Sequence, residues 1–250
     1  MTDPRHLLIL GGTAEAAALA EAVVQRAPGW RVTSSLAGRT SAPVPIAGDV
    51  RIGGFGGVEG LVRYLEAEGV TALVDATHPF AVEMSAHARR AADQLTLPRL
   101  QLWRPPWRRD PRDRWVEVAD ATAAASALSR VGRRVFLALG QRDLAAFSPL
   151  TETFFLVRMI EAPAIAPPLR DHHLVLARGP FSAAQDLALM RHHRIDALVA
   201  RASGGTGAEA KITAARSLDI PVVLIRRPPP EPGRLTDSVA GVLAWLATLA

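Results

Sequence analysis

Three loops hold the residue types that could do chemistry. The densest is Arg201-Ala202-Ser203-Gly204-Gly205-Thr206-Gly207-Ala208-Glu209-Ala210-Lys211. It packs three glycines into four positions, adds two hydroxyls and ends on the only lysine in the chain. Every other basic residue counted with it is an arginine, and asparagine is absent, so the composition is biased toward Ala, Arg and Gly. Lys211 retained against that bias points to work that a planar guanidinium cannot do. Its survival by chance is the plain alternative.

The second loop, Gly11-Gly12-Thr13-Ala14-Glu15, follows the apolar run 6–10 and opens an Ala-rich helical pattern over 14–27. A strand, a glycine turn and a helix make the start of a Rossmann-like unit. Backbone N–H groups at such a helix start can approach a phosphate. The full G-x-G-x-x-G pattern is missing, and a tight strand-to-helix turn would read the same way. A second strand over 31–36 leads to Ala37-Gly38-Arg39-Thr40. In a dinucleotide fold the end of this strand faces the adenosine ribose, where an acid suits NAD and an arginine suits the 2′-phosphate of NADP. Arg39 without an acid favours NADPH over NADH.

The third loop is Asp75-Ala76-Thr77-His78-Pro79-Phe80, after a buried strand over 72–74. In a sheet of order 3-2-1-4 it lies beside Gly11-Gly12, at the switch point where ligands bind. His78 titrates near neutrality and is the best side-chain candidate for a proton donor. A turn histidine fixed ahead of Pro79 would look alike. His172-His173 and His192-His193 lack matching metal-ligand spacing and read as solvated, on a loop and at a helix end; no metal site is expected.

The elements that position these loops alternate as strand and helix. A strand over 49–52, a helix over 58–68, a helix over 80–95 and a strand over 99–102 complete a first series. A crossover at 108–114, a short extended piece at 115–118 and a helix at 119–130 follow. A second series has strands at 135–139, 153–158, 175–177, 197–199 and 222–225, with helices at 183–193 and 211–218. A last helix over 236–249 is capped by Thr236 or Asp237. The two halves also echo each other. Residues 95–106, Leu-Thr-Leu-Pro-Arg-Leu-Gln-Leu-Trp-Arg-Pro-Pro, match 218–229, Leu-Asp-Ile-Pro-Val-Val-Leu-Ile-Arg-Arg-Pro-Pro, and 72–74 match 197–199. The expected fold is α/β: two Rossmann-like parallel-sheet domains with a ligand cleft between them. The expected domains are 1–110 and 111–250, with the boundary within 105–132 and helix 236–249 free to pack on either.

Composition narrows the partners. The 250 residues carry a net charge of +5, 49% apolar residues and no cysteine, which excludes disulfides and thiolate metal sites. No signal peptide or membrane span is expected, so the reading is a cytoplasmic protein, with the oligomeric state left open and a monomer plausible. Arginine favours carboxylates and phosphates. No nucleic-acid motif or aromatic interleaving accompanies the charge, so an anionic small molecule is the expected partner.

Taken together the motifs resemble the precorrin-6A reductase family of corrin (cobalamin) biosynthesis, over nearly the whole chain. The matching segments are Gly-Gly-Thr-x-Glu at 11–15, Leu-Ala-Gly-Arg at 36–39, Asp-Ala-Thr-His-Pro-Phe-Ala at 75–81 and Arg-Pro-Pro-Trp at 104–107. Arg-Gly-Pro-Phe at 178–181, Ser-Gly-Gly at 203–205 with Lys211, and Ile-Pro-Val-Val at 220–223 complete the set. Where family members often carry Lys-Asn before Ser-Gly-Gly, this chain has Arg201-Ala202. The resemblance implies NADPH-dependent reduction of a macrocycle double bond of precorrin-6A, a polycarboxylate tetrapyrrole. It implies cofactor binding by Gly11, Gly12, Thr13, Glu15, Gly38, Arg39, Thr40, Thr77 and Pro79. It implies substrate binding by Arg178, Arg201, Ser203, Gly204, Gly205 and Thr206, with His78 and Lys211 as catalytic candidates. Alternatives are a cobalt-precorrin-6A reductase, a non-catalytic NAD(P)-binding module, a phosphate-ester enzyme using Gly204–Lys211, and a structural partner protein.

Overall fold

A computed structural model of the chain describes residues 5–38 and 45–249. Arg39 and Thr40 therefore lie outside the described residues. The chain forms two compact units, Met1–Pro105 with Pro228–Ala250, and Pro106–Arg227.

The first unit runs β1 (Arg5–Leu10), α1 (Ala14–Arg26), β2 (Trp30–Leu36), β3 (Asp49–Ile52), α2 (Gly57–Ala67), β4 (Ala72–Asp75), α3 (Val82–Leu95) and β5 (Arg99–Leu102). The chain then enters the second unit with β6 (Trp115–Val118), α4 (Ala121–Leu128), β7 (Arg134–Ala138), β8 (Phe154–Met159) and β9 (Asp171–Leu176). That unit continues with α5 (Ala183–His192), β10 (Ala197–Arg201), α6 (Ala210–Ser217) and β11 (Val222–Ile225). Finally β12 (Leu235–Thr236) and α7 (Val239–Ala247) return to the first unit.

Each unit holds one six-stranded sheet, in the orders β12-β5-β4-β1-β2-β3 and β6-β11-β10-β7-β8-β9. All pairings are parallel. Helices cover both faces, so the central strands are apolar throughout rather than alternating. In β1, Leu7 and Ile9 pack toward Leu19 and Val23 of α1, while Leu8 and Leu10 pack toward Leu61 and Leu65 of α2. Each such leucine contributes about 1.5–3 kcal/mol by burial. The second unit has a matching cluster of Phe136, Leu198 and Leu224 under Met190 and Ile212.

The repeat seen in the sequence extends to individual hydrogen bonds. Leu73 N donates to Pro98 O at 2.9 Å, and its counterpart Leu198 N donates to Pro221 O at 3.0 Å. Thr96 and Asp219, equivalent in the echo, both take the left-handed conformation, at φ 52° and 53°. The repeat is also interlocked through the chain path. β12 pairs with β5 as β6 pairs with β11, so the sixth strand of each sheet is not the one that directly follows in its own series.

This path refines the expected boundary: the chain passes to the second unit at Pro105–Pro106, within the expected 105–132, and residues 228–250, with the helix left free to pack on either half, group with the first unit. The physical cause is the pairing of β12 with β5 and the burial of Val242, Trp245 and Leu246 of α7 with Leu19 and Val23. It also corrects the expected cap. Thr236 belongs to β12, and the cap of α7 is Ser238, whose Oγ accepts from Gly241 N at 3.2 Å. His172-His173, expected on a loop, lie in β9. His193 is half-buried rather than solvated, with its ring against Phe154 and His173, and burial lowers its pKa first, then the neighbouring His173 and His192.

Candidate functional site

The carboxyl ends of β1, β4 and β2 gather the first set of residues. Gly11 N donates to Ser35 O at 2.9 Å, which ties the turn to the end of β2. Gly12 stands at φ +95°, a backbone that L side chains rarely adopt, and a Cβ there would meet nothing within 4 Å. The backbone is thus open on that side to close approach. Thr13 caps α1: its hydroxyl accepts from Ala16 N at 3.1 Å and donates to Ala76 O at 2.8 Å. One side chain therefore joins the helix start to the loop after β4. Gly38, at φ +69°, turns the chain at the end of β2.

Asp75 organises the third loop. Its carboxylate is buried and accepts from Thr77 N at 3.1 Å and Thr77 Oγ1 at 2.7 Å. Gln101 Nε2 approaches from β5 at 3.4 Å. Thr77 is thus held in place, Pro79 is buried, and His78 follows half-buried at the rim. His78 Nδ1 accepts from Phe80 N at 3.3 Å. That bond assigns the neutral ring's proton to Nε2.

Glu15 meets Arg104, which follows β5, at 3.4 Å. Burial lowers the pKa of Arg104, and Glu15 opposes that effect. An acid in the first turn of α1 is also favoured by the helix dipole. Glu15 therefore sits against an arginine at the mouth of the turn, and Arg104 is a residue that sequence reasoning used only as part of a motif.

In the second unit the carboxyl end of β10 carries the glycine loop. Ser203 is buried, and Gly204 and Gly205 take positive φ of 66° and 71° in succession. Gly205 O accepts from Trp107 Nε1 at 2.7 Å. Thr206 is exposed at the start of a short 3-10 turn. Arg201 pairs with Asp143 at 2.7 Å. Lys211 donates from Nζ to Ala208 O at 2.6 Å and stands 5.7 Å from the Trp107 ring centroid. Burial, and then the nearby Arg158, hold its pKa down to about 8. Arg158 is itself paired with the buried Asp186 and stacked 3.6 Å over Phe181.

Most of the expected residues are thus brought together within their own units. Arg178 is the exception. It follows β9, three strand positions from β10, and faces Glu161 at 4.0 Å. Asp143, Asp186, Arg158 and Trp107 were not singled out from the sequence. The signal for Asp143 was there in the repeat, because it stands where Glu15 stands in the first unit.

The chain matches the model of the family described as precorrin-6x reductase CbiJ/CobK over residues 6–247. It is 49% identical to a precorrin-6A reductase of Rhodococcus erythropolis over 98% of both chains. It is 46% identical to a precorrin-6A reductase of Rhodobacter capsulatus over 97% of this chain and 96% of the relative. A solved structure of CobK precorrin-6A reductase superposes with a TM-score of 0.93 at 45% identity, over 98% of this chain and 96% of that one. Such a reductase implies a nicotinamide cofactor and a tetrapyrrole substrate. Among the described residues no helix is long and apolar enough to cross a membrane. Two parallel six-stranded sheets, a nucleotide-type turn on β1 and this similarity over the full length make one conclusion: the chain belongs to the precorrin-6x reductase family, the oxidoreductases that reduce precorrin-6A in cobalamin biosynthesis.

Proposed function

We propose that the reductant is NADPH and that the first unit holds it. The observation that carries this reading is the turn after β1. Gly12 is open and left-handed, and Thr13 links it to Ala76, directly ahead of Thr77 and His78. Gly11, Gly12 and Thr13 take the pyrophosphate at the start of α1. Gly38 turns the chain into Arg39 and Thr40, which take the 2′-phosphate. Thr77 and Pro79 fix the loop on which the nicotinamide rests. Glu15 pairs with Arg104 and holds it beside the turn.

Bound there, NADPH supplies a hydride to one carbon of the precorrin-6A double bond. The neighbouring carbon takes a proton, giving precorrin-6B. His78 donates it as the imidazolium, the form of the ring that is an acid near neutral pH, and the Phe80 N–H bond to Nδ1 opens in that form. The second unit binds the carboxylates: Arg201, Ser203, Gly204, Gly205 and Thr206 offer a guanidinium, hydroxyls and backbone N–H groups. Arg178 adds a charge from the segment after β9, and Lys211 supplies an ammonium whose charge is adjustable near neutrality. A single chain carries all of these, so a monomer in the cytoplasm suffices.

The test is turnover of precorrin-6A followed by cofactor absorbance, with NADPH, NADH, and the cobalt-containing substrate in parallel. The expected result is a strong preference for NADPH and for the cobalt-free macrocycle. Arg39→Asp should raise KM for NADPH far more than KM for NADH. Equal effects on the two cofactors sink the 2′-phosphate assignment.

A further inference from the structure

The two sheets share one plan, so each serves as a control for the other. On one face of the first sheet, β4 and β5 carry polar side chains where the second carries apolar ones. Asp75 pairs with Gln101 and Leu73 with Arg99; in the same registers Ala200 pairs with Leu224 and Leu198 with Val222. Asp75, Gln101 and Arg99 thus stand where the second unit has Ala200, Leu224 and Val222, all buried. Two residues after Asp75, Thr77 stands where Ala202 does. A sheet of this topology therefore needs no polar group at these places.

The polar set is also costly to bury. Asp75 and Gln101 are almost fully covered. Gln101 Oε1 and Arg99 Nη1 are buried and have no hydrogen-bond partner among the described residues. Burial lowers the pKa of Arg99, and the Asp75 carboxylate is the foremost charge opposing that effect. Polar groups buried this incompletely destabilise a core that apolar side chains would fill. What the set gains is the loop after β4. Asp75 Oδ1 accepts from both the N–H and the hydroxyl of Thr77, and Gln101 Nε2 approaches the other oxygen. Thr77 Oγ1 also lies 3.3 Å from Ser85 Oγ of α3, so the loop is fixed from strand and helix together. His78 is the next residue in the chain.

Resting on the reading of 77–79 as the loop beside the nicotinamide, we propose that Asp75, Gln101 and Arg99 are positioning residues of the reduction. Gln101 by its amide and Arg99 by its charge hold the Asp75 carboxylate. That carboxylate holds Thr77, and Thr77 sets the orientation in which His78 and Pro79 follow. The three act through the loop and not on the reacting atoms. The first sheet gives up core stability for a loop kept in one geometry, which is where small displacements cost most rate.

The second unit supplies the substitutions. Asp75→Ala with Gln101→Leu gives the first sheet the residues of its counterpart. Both partners of one contact become apolar, so Tm should stay within about 4 °C. kcat, read on folded protein well below Tm, should fall about 100-fold. KM for NADPH and for precorrin-6A should stay within about twofold. Near-normal kcat in the folded double variant overturns the proposal, whatever its Tm. Asp75→Asn keeps an acceptor for Thr77 and turns an amide toward Gln101, whose Oε1 can rotate to accept it. That variant should keep kcat within about threefold of wild type. A loss as large as in the double variant would mean that charge acts and not geometry, and overturns the proposal too. Should the double variant fail to fold, Gln101→Leu alone carries the test: about a tenfold loss in kcat is expected, and an unchanged kcat overturns the idea. Thr77→Ala and His78→Ala separate the proposal from the reading beneath it. Normal kcat in both means that the loop takes no part in the reduction, and overturns that reading and the proposal with it. A loss in either, beside normal kcat in the double variant, leaves the reading standing and overturns the positioning set alone.

Discussion

In the first unit β1 ends at Gly11-Gly12 and enters the 13-residue helix α1. In the second, β7 ends at Leu139-Gly140 and enters a 3-10 turn over Gln141–Phe147 instead. The strand registers make Gly12 and Gly140 equivalent, since Leu7 pairs with Ala72 as Val135 pairs with Ala197. Yet Gly12 stands at φ +95° while Gly140 stands at φ −78°. Each turn is followed by an acid at the same offset, Glu15 and Asp143. Glu15 meets Arg104 beyond β5, whereas Asp143 meets Arg201 at the end of β10. The same topology therefore gives one unit a left-handed turn into a long helix and the other an ordinary turn into a 3-10 segment, each with its own ion pair beside it. Topology supplies the place where a ligand can bind; the local turn decides what binds there.

Breaking the left-handed turn is expected to have the largest effect. Gly12→Val forces a β-branched residue into that backbone and fills the open side. We expect kcat/KM for NADPH to fall about 100-fold, corresponding to roughly 3 kcal/mol. Gly140→Ala, at an ordinary φ and with open space before it, should stay within about twofold. Comparable losses in both would mean that the second unit, too, uses its turn for the cofactor.

The loops after β4 and β10 differ next. In register His78 corresponds to Ser203, so only the first unit presents a titrating group there. His78→Ala should reduce kcat at saturating NADPH by about 100-fold at most, the lower end for a lost general acid. Near-normal turnover would assign the proton to solvent or to the substrate.

Lys211 sharpens the contrast from the other side. Its pKa is held down to about 8 from 10.5, so folding favours the neutral form. The cost of burying the ammonium is fully present below about pH 8. It is relieved as the pH rises toward 10.5, because the folded protein then holds fewer protons than the unfolded one. Lys211→Met should raise Tm at pH 7 and not at pH 10.5. The same variant should lose about tenfold in kcat/KM for precorrin-6A and the break near pH 8 in its profile. Lys211→Arg with full activity would dispose of a special role for the ammonium.

The smallest effects concern the interlocked ends. Ser238 caps α7 and Asp120 caps α4, in equivalent places after β12 and β6. Ser238→Ala and Asp120→Ala should each cost about 1 kcal/mol in denaturant unfolding. A cost confined to Asp120→Ala would mean that α7 adds little to the first unit.

Much of this was legible in the chain. The uninterrupted apolar runs at 7–10, 72–74, 135–139 and 197–199 predicted buried parallel strands, because only a sheet covered on both faces has no polar side. The turn at 11–13 and the loop at 75–80 read as neighbours, and the Thr13–Ala76 bond joins them. What was not legible depends on pairs far apart in sequence. Nothing local in Arg201 names Asp143, and nothing in Glu15 names Arg104. The pattern over 236–249 looked like one helix because Leu235-Thr236 forms a strand only when β5 is there to pair with it.

The sequence by itself determined the α/β class, the duplication, and the glycine and histidine loops at strand ends. These follow from hydrophobic period and from backbone angles that only certain residues tolerate. The tertiary structure decided that β12 and β6 exchange their series and which acid meets which arginine. Those outcomes rest on contacts between residues dozens to more than a hundred positions apart, where burial and charge act through space and leave no local period to read.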